Sequence, residues 1–268
     1  MKRYLKNPVL ILCVAILCVA SNDTKESCPY GPLPGSSKRI IGLSATSRIT
    51  GITYPYHVYL PPLYENNPGM NFPVIYATDG QWCFDGYSKE IEEQGREYIF
   101  VAIEEGGPPD SERRRVDYTY PGAEAYFDFF TTEFIPLIES VYRVDKSDRT
   151  LAGMSLGGLF VVYAMFWDDP EEPLFDRYLA YDGSFWRNAD VTAGIMKTRY
   201  KKNSRLDTVL VLTSARTAGN EPFVVQFESD IESRGFEGLT IKSRSFDCEH
   251  LQVGNPSLRY SLNEVFGE

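Results

Sequence analysis

Short apolar runs alternate with stretches of helical length along this chain, and that alternation limits the possible folds more than any other feature. Residues 73–78, 99–103, 150–152, 178–181 and 209–212 each read as a short buried strand, and 240–245 as a sixth. Between and after them, residues 83–97, 122–141, 156–167, 223–234 and 257–266 read as helices. Strands apolar on both faces suit a sheet that is covered on both sides, and parallel neighbours require crossovers of about this length. A mostly parallel sheet with helices on both faces follows. Residues 40–44 and 49–60 differ, alternating apolar with polar side chains and punctuated by Gly51. Pro61-Pro62 ends that segment, and residues 66–69 (Asn-Asn-Pro-Gly) form a turn. Within 122–141 the apolar residues Phe127, Phe130, Phe134, Ile135, Ile138 and Val141 fall at helical spacing, and Pro136 predicts a kink.

The 268 residues suffice for one sizeable domain, and 43% hydrophobic residues mark a globular chain. A net charge of −10 argues against nucleic acid or anionic lipid as a partner. The basic cluster Arg113-Arg114-Arg115 follows acidic residues and is too short to change that. The first twenty residues stand apart. Lys2, Arg3 and Lys6 precede an apolar run from residue 8 to 20 that ends Cys18-Val19-Ala20, the pattern of a cleaved secretory signal. The run is short for a bilayer span, so no stable membrane span is expected once it is cleaved. Its loss takes three positive charges, from −10 to −13. Residues 21–38 read as a linker and 39–268 as the catalytic domain, secreted or periplasmic. Export would leave Cys28, Cys83 and Cys248 in an oxidising compartment, an odd number with no metal-binding spacing. Cys83 and Cys248 are read either as a disulfide or as two free thiols.

The segment Gly153-Met154-Ser155-Leu156-Gly157-Gly158 joins a predicted strand to a predicted helix. A nucleophile there sits on a tight bend with its hydroxyl exposed, and the helix N-terminus behind it favours an oxyanion. Chance produces Gly-x-Ser-x-Gly in about one chain in ten of this length, so the context, not the motif alone, carries the reading. In the α/β-hydrolase arrangement the order is nucleophile, acid, base. Of the two histidines only His250 follows Ser155, and it stands between the last strand and the last helix. His57 lies among Tyr54, Tyr56 and Tyr59 and reads as structural. Glu221, after the strand at 209–212, is the expected acid; Asp247 and Glu249 are less well placed, and a Ser–His pair without an acid is the alternative. The amides of Leu156 and of Gln81, in the loop Asp79-Gly80-Gln81-Trp82, are the expected oxyanion donors.

These residues resemble the esterase family of α/β-hydrolases that includes esterase D (S-formylglutathione hydrolase) and the enterochelin esterases. The resemblance runs from about Arg39 to Phe266. It is carried by Val58-Tyr59-Leu60-Pro61-Pro62-Leu63-Tyr64, by Pro73-Val74-Ile75-Tyr76 with Asp79-Gly80, and by Arg114 with Asp117-Tyr118-Thr119. Phe134-Ile135-Pro136-Leu137-Ile138-Glu139, the Ser155 elbow, Ser184-Phe185-Trp186 and His250 with Ser257-Leu258 continue it. Tyr120 replaces a frequent Pro, Asp182-Gly183 replaces a frequent Ser-Pro, and residues 213–221 match poorly. The resemblance implies ester hydrolysis through an acyl-enzyme on Ser155, with His250 as base and no cofactor. The connection between the strands at 178–181 and 209–212 is too short for a large cap domain, so an open site is expected. Arg114, Tyr118 and Trp186 are candidate contacts to a small-molecule or glycosidic ester: a siderophore lactone, a feruloyl or acetyl sugar, or a relative of these. Acyl transfer to a sugar or lipid, and a non-catalytic binding role, are the alternatives.

Overall fold

The structure, a computed structural model, describes residues 35–108 and 111–266. The expected signal, most of the linker, and Cys13, Cys18 and Cys28 lie outside the described residues.

Eight strands make one sheet among the described residues: β1 (Lys38–Thr46), β2 (Thr53–Leu60), β3 (Phe72–Ala77), β4 (Ile99–Ile103), β5 (Val144–Met154), β6 (Arg177–Tyr181), β7 (Val209–Thr217) and β8 (Thr240–Glu249). Their order is β1-β2-β4-β3-β5-β6-β7-β8. β1 and β2 enter antiparallel, and every pairing from β4 onward is parallel. The helices are α1 (Gly80–Glu93), α2 (Arg113–Tyr118), α3 (Gly122–Phe129), α4 (Ile135–Val141), α5 (Leu156–Trp167), α6 (Ala189–Lys202), α7 (Glu221–Arg234) and α8 (Gly254–Glu264).

The period-two geometry of the central strands divides the core. Val74 and Tyr76 of β3, with Ile99, Val101 and Ile103 of β4, join Phe129 of α3 and Phe160 of α5 on one face. Ile75, Ala77, Phe100 and Ala102 point the other way and meet Phe84 and Ile91 of α1 and Leu258 and Leu262 of α8. α5 is buried on every side, which explains its unbroken apolar sequence.

Three elements depart from the sequence reading. Residues 122–141 do not form one kinked helix: a π-helical turn, Phe130–Phe134, separates α3 from α4. Pro136 stands just after it, at the start of α4. A proline ring presses on the carbonyl four residues back and donates no hydrogen bond there, and a wider turn accommodates both effects. α6 lies inside a connection to which the sequence reading assigned no element, and it buries only Thr192, Met196 and Arg199, too few apolar residues to show a period. α2 is six residues long and likewise left no signal.

Candidate active site

The Ser155 elbow is set by backbone. Ser155 has φ 60° and ψ −119°, a region that L-residues rarely occupy and that persists only when its surroundings enforce it. A side chain at Gly153 would place its Cβ 2.5 Å from the Gly157 carbonyl, so the bend closes only around glycine. The Ser155 N–H donates to Tyr181 O at 2.9 Å, and Ser155 O accepts from Leu159 N at 3.1 Å and Ser184 N at 2.9 Å. The Ser155 and Ser184 hydroxyl oxygens are 3.2 Å apart. Leu156 follows as the first residue of α5, so its amide belongs to a helix N-terminus.

His250 begins a short 3-10 turn, His250–Gln252, directly after β8. Its Nδ1 lies 2.5 Å from Asp182 Oδ2. A carboxylate only accepts, so Nδ1–H donates and Nε2 is left as the basic nitrogen. Asp182 is fully buried. Its Oδ1 accepts from Ala215 N at 3.0 Å and Asn220 N at 2.9 Å, and its own N–H donates to Thr213 O at 2.7 Å.

The assignment of Glu221 as the acid is therefore corrected. Glu221 opens α7 and pairs with exposed Arg216 at 3.2 Å, and Arg216 also holds Asp247 at 2.8 Å. The carboxylate that meets His250 leaves the sheet one strand earlier, at the end of β6. The sequence signal was present in Asp182-Gly183, a departure from the family pattern placed just past an apolar strand.

Ser155 and His250 line one cleft of about 650 Å³ with Asp79, Trp82, Arg114 and Leu251. Arg114 reaches it as expected, gripped by Asp79 in a two-pronged pair at 2.6 and 2.8 Å. Burial pushes the Asp79 carboxyl up, and the two guanidinium bonds oppose that shift. The Trp82 ring covers the Arg114 guanidinium at 5.1 Å and is 66% exposed. Trp82 and Leu251, which is 84% exposed, form the apolar rim of the cleft, and neither was singled out from sequence.

Tyr118 and Trp186 are not at that rim. Tyr118 is buried behind it, where its hydroxyl accepts the Asp79 N–H at 3.4 Å and its ring packs on Tyr126 and Phe160. Trp186 lines a separate small pocket with Phe185, Met196, Phe223 and Phe227. Gln81 turns its carboxamide to the Glu105 N–H at 3.2 Å, and Asp79 and Trp82 on either side of it face the cleft. His57, on β2, pairs with Glu104 just after β4 at 2.5 Å. Cys83 and Cys248 are both free thiols, so no disulfide ties their loops together.

The family model "Putative esterase" matches residues 47–216, well over half of the chain. The chain belongs to this esterase family. Ser155 and Asp182 fall inside the matched span, and His250 lies beyond it. Ferri-bacillibactin esterase BesA of Bacillus subtilis is 27% identical over 176 residues, 55% of this chain and 58% of that protein. The apo-salmochelin esterase of Escherichia coli O6:H1 is 26% identical over 178 residues, 56% of this chain and 55% of that protein. The chain thus spans a little over half the length of these curated relatives. An IroE-like serine hydrolase from Shewanella oneidensis has a similar structure, with a TM-score of 0.67 at 24% identity, covering 83% of this chain and 77% of that one. The fold of this chain is the mostly parallel α/β-hydrolase sheet.

Proposed function

We propose that this chain is a serine carboxylic ester hydrolase that works through an acyl-enzyme on a small ester outside the cytoplasm. The observation that carries the reading is the buried Asp182–His250 pair at 2.5 Å, opening into the cleft that also holds the strained Ser155. In this scheme His250 Nε2 takes the Ser155 proton as Oγ attacks the ester carbonyl. The Nδ1–H bond to Asp182 fixes the tautomer and stabilises the imidazolium that forms. The Leu156 amide and an amide of the first turn of α1, with Gln81 the candidate, take the oxyanion. His250 then protonates the leaving alcohol, and water repeats the cycle on the acyl-enzyme.

The names of the bacillibactin and salmochelin esterases favour a siderophore ester as substrate, and the open cleft with its Trp82 and Arg114 wall suits a bulky aromatic or anionic ester. The amino-terminal pattern favours export by a cleaved signal. Among the described residues, no helix is long and apolar enough to cross a membrane. A fluorophosphonate probe tests the chemistry directly. One phosphonyl group per chain, mapped by mass spectrometry to Ser155, is the expected result. Absence of labelling in folded protein would remove the nucleophile from the scheme. A panel of siderophore lactones, feruloyl sugars and acetyl sugars then ranks substrates by kcat/KM.

A further inference from the structure

Trp186 was expected to touch substrate, yet its polar edge points into the protein. The indole Nε1–H donates to Asn220 Oδ1 at 3.0 Å. The Asn220 carboxamide in turn donates through Nδ2 to Asp182 O at 2.8 Å, while its backbone N–H donates to Asp182 Oδ1 at 2.9 Å. Asn220 therefore holds the acid at two points and is itself held by one tryptophan.

Asn220 gives up an ordinary role to make these contacts. It precedes the first residue of α7, where an asparagine side chain commonly accepts an N–H of the first helical turn. Here no side-chain cap bond is made, because Oδ1 is given to Trp186. The turn that returns Asn220 to Asp182 is also tight. Ala218 has φ 50°, and a Cβ on Gly219 would lie 2.1 Å from Ala215 O. Asp182 itself sits at φ 43°, so an unusual backbone is held at both ends of the contact. The Trp186 ring is 48% exposed and forms one wall of the small pocket that Met196 of α6 and Phe223 and Phe227 of α7 also line.

We propose that Trp186 and Asn220 are positioning residues of the catalytic site, forming a relay Trp186–Asn220–Asp182–His250 that fixes the direction of the His250 base. The inference rests on the hydrolase reading above. Neither residue touches substrate; each acts by holding the Asp182 backbone, and through the Asn220 N–H its carboxylate, in place.

The test uses the full chain and two variants. Trp186→Phe keeps a ring in the pocket and removes only the N–H. Asn220→Ala removes both side-chain bonds. Trp186→Phe is expected to lower kcat about three- to tenfold with KM unchanged, the size of one lost hydrogen bond expressed at the transition state. Asn220→Ala should lose at least as much. The double variant should be no worse than Asn220→Ala alone, because the tryptophan acts only through the asparagine. The low-field proton resonance of His250 Nδ1–H should shift in both. A rise in KM with unchanged kcat would make Trp186 a substrate contact and overturn the relay. Unchanged kcat and resonance in both folded variants would overturn it too. Wild-type protein that fails to take fluorophosphonate at Ser155 would instead defeat the hydrolase reading, so the two failures are told apart.

Discussion

Ser155 and Asp182 both follow the end of a parallel strand, β5 and β6, and both have positive φ, yet different kinds of contact hold them. Ser155 is shaped mainly by its own neighbours: glycine two residues back, a helix starting one residue on, and the Leu159 amide on its carbonyl. Asp182 is shaped by residues far away in sequence. Thr213, Ala215 and Asn220 come from the next strand and its loop, and His250 lies 68 residues further on. The bend at Ser155, the proposed nucleophile, is thus encoded by a short motif, and bonds to Tyr181 and Ser184 then pin it to the next strand. The Asp182–His250 contact is set by the packing of β6 beside β7 and β8. A carboxylate in a loop becomes a catalytic partner only when distant donors bury it and aim it.

Substitutions at the two strand ends test that contrast. Ser155→Ala should lower kcat on any accepted ester by on the order of 10³-fold or more, with the thermal transition retained. Near-wild-type turnover in the folded variant would end the mechanism. Asp182→Asn should cost on the order of 10²- to 10⁴-fold, since an amide in place of the carboxylate favours the wrong imidazole tautomer. Glu221→Gln, at the start of α7, should stay within about threefold, because among the described residues Glu221 pairs with Arg216 on the surface. If the two acids exchanged these effects in steady-state kinetics, the geometry around His250 would be misassigned.

The same contrast explains what could be read from the sequence. β4 and α5 fall on the stretches expected for them, because an unbroken apolar run between polar flanks is a local signal. The strand-to-helix bend at Ser155 was legible for that reason, and the placing of His250 after the last parallel strand because only one histidine follows Ser155. Asp182 was not. Order alone places the acid somewhere between residues 155 and 250, and the choice of Glu221 assumed the loop after β7. Which of these loop carboxylates is buried against a histidine depends on register across β6, β7 and β8, and no short motif encodes that. The end of β7 and the loop after it contribute the amides of Ala215 and Asn220, donors invisible to any reading based on acidic residues. Trp186 and Tyr118 were read as exposed grips because aromatics in loops often are. Tyr118 is buried by its place on α2, and Trp186, still half exposed, faces the pocket beside α6 and not the cleft; both helices have too little apolar periodicity to be seen.

A second contrast separates the two arginine–carboxylate pairs near the site. Arg114 and Asp79 are largely buried, with side chains 18% and 7% exposed, whereas Arg216 is 48% exposed beside Glu221. Removing Arg114 strands a buried carboxylate that burial already pushes toward protonation. Arg114→Ala should destabilise by about 3 kcal/mol, a fall in Tm of roughly 6–12 °C. Arg216→Ala should leave Tm within roughly 2 °C. Differential scanning calorimetry of the two variants measures both. Equal, small shifts would mean that water reaches Asp79 and that Arg114 is free to serve as a substrate contact alone.

The smallest effect is expected at the two cysteines that flank the cleft loops. Cys83 lies on α1 and Cys248 two residues before His250, so a disulfide would tie the α1 end of the cleft to the base. Both are free thiols in the structure, and Cys83 Sγ donates to Thr78 O at 3.4 Å. Burial and the Asp79 charge push the Cys83 thiol well above its ordinary range, and burial raises Cys248 as well. The reactive species is the thiolate, so both should alkylate slowly near neutral pH, Cys83 more slowly because it is the more deeply enclosed. Peptide mapping after limited alkylation at pH 8 without reductant should find Cys248 modified first and both modified on longer exposure. Dithiothreitol should change Tm by no more than about 1 °C, against the several degrees that loss of a bond worth about 2–4 kcal/mol would cause. A large reductant-dependent drop in Tm, with Cys83 and Cys248 protected from alkylation until reduction, would show that the two loops close far enough to bond in the oxidised protein. His250 would then owe part of its fixed direction to a covalent tie, added to its Asp182 bond and the 3-10 turn it begins.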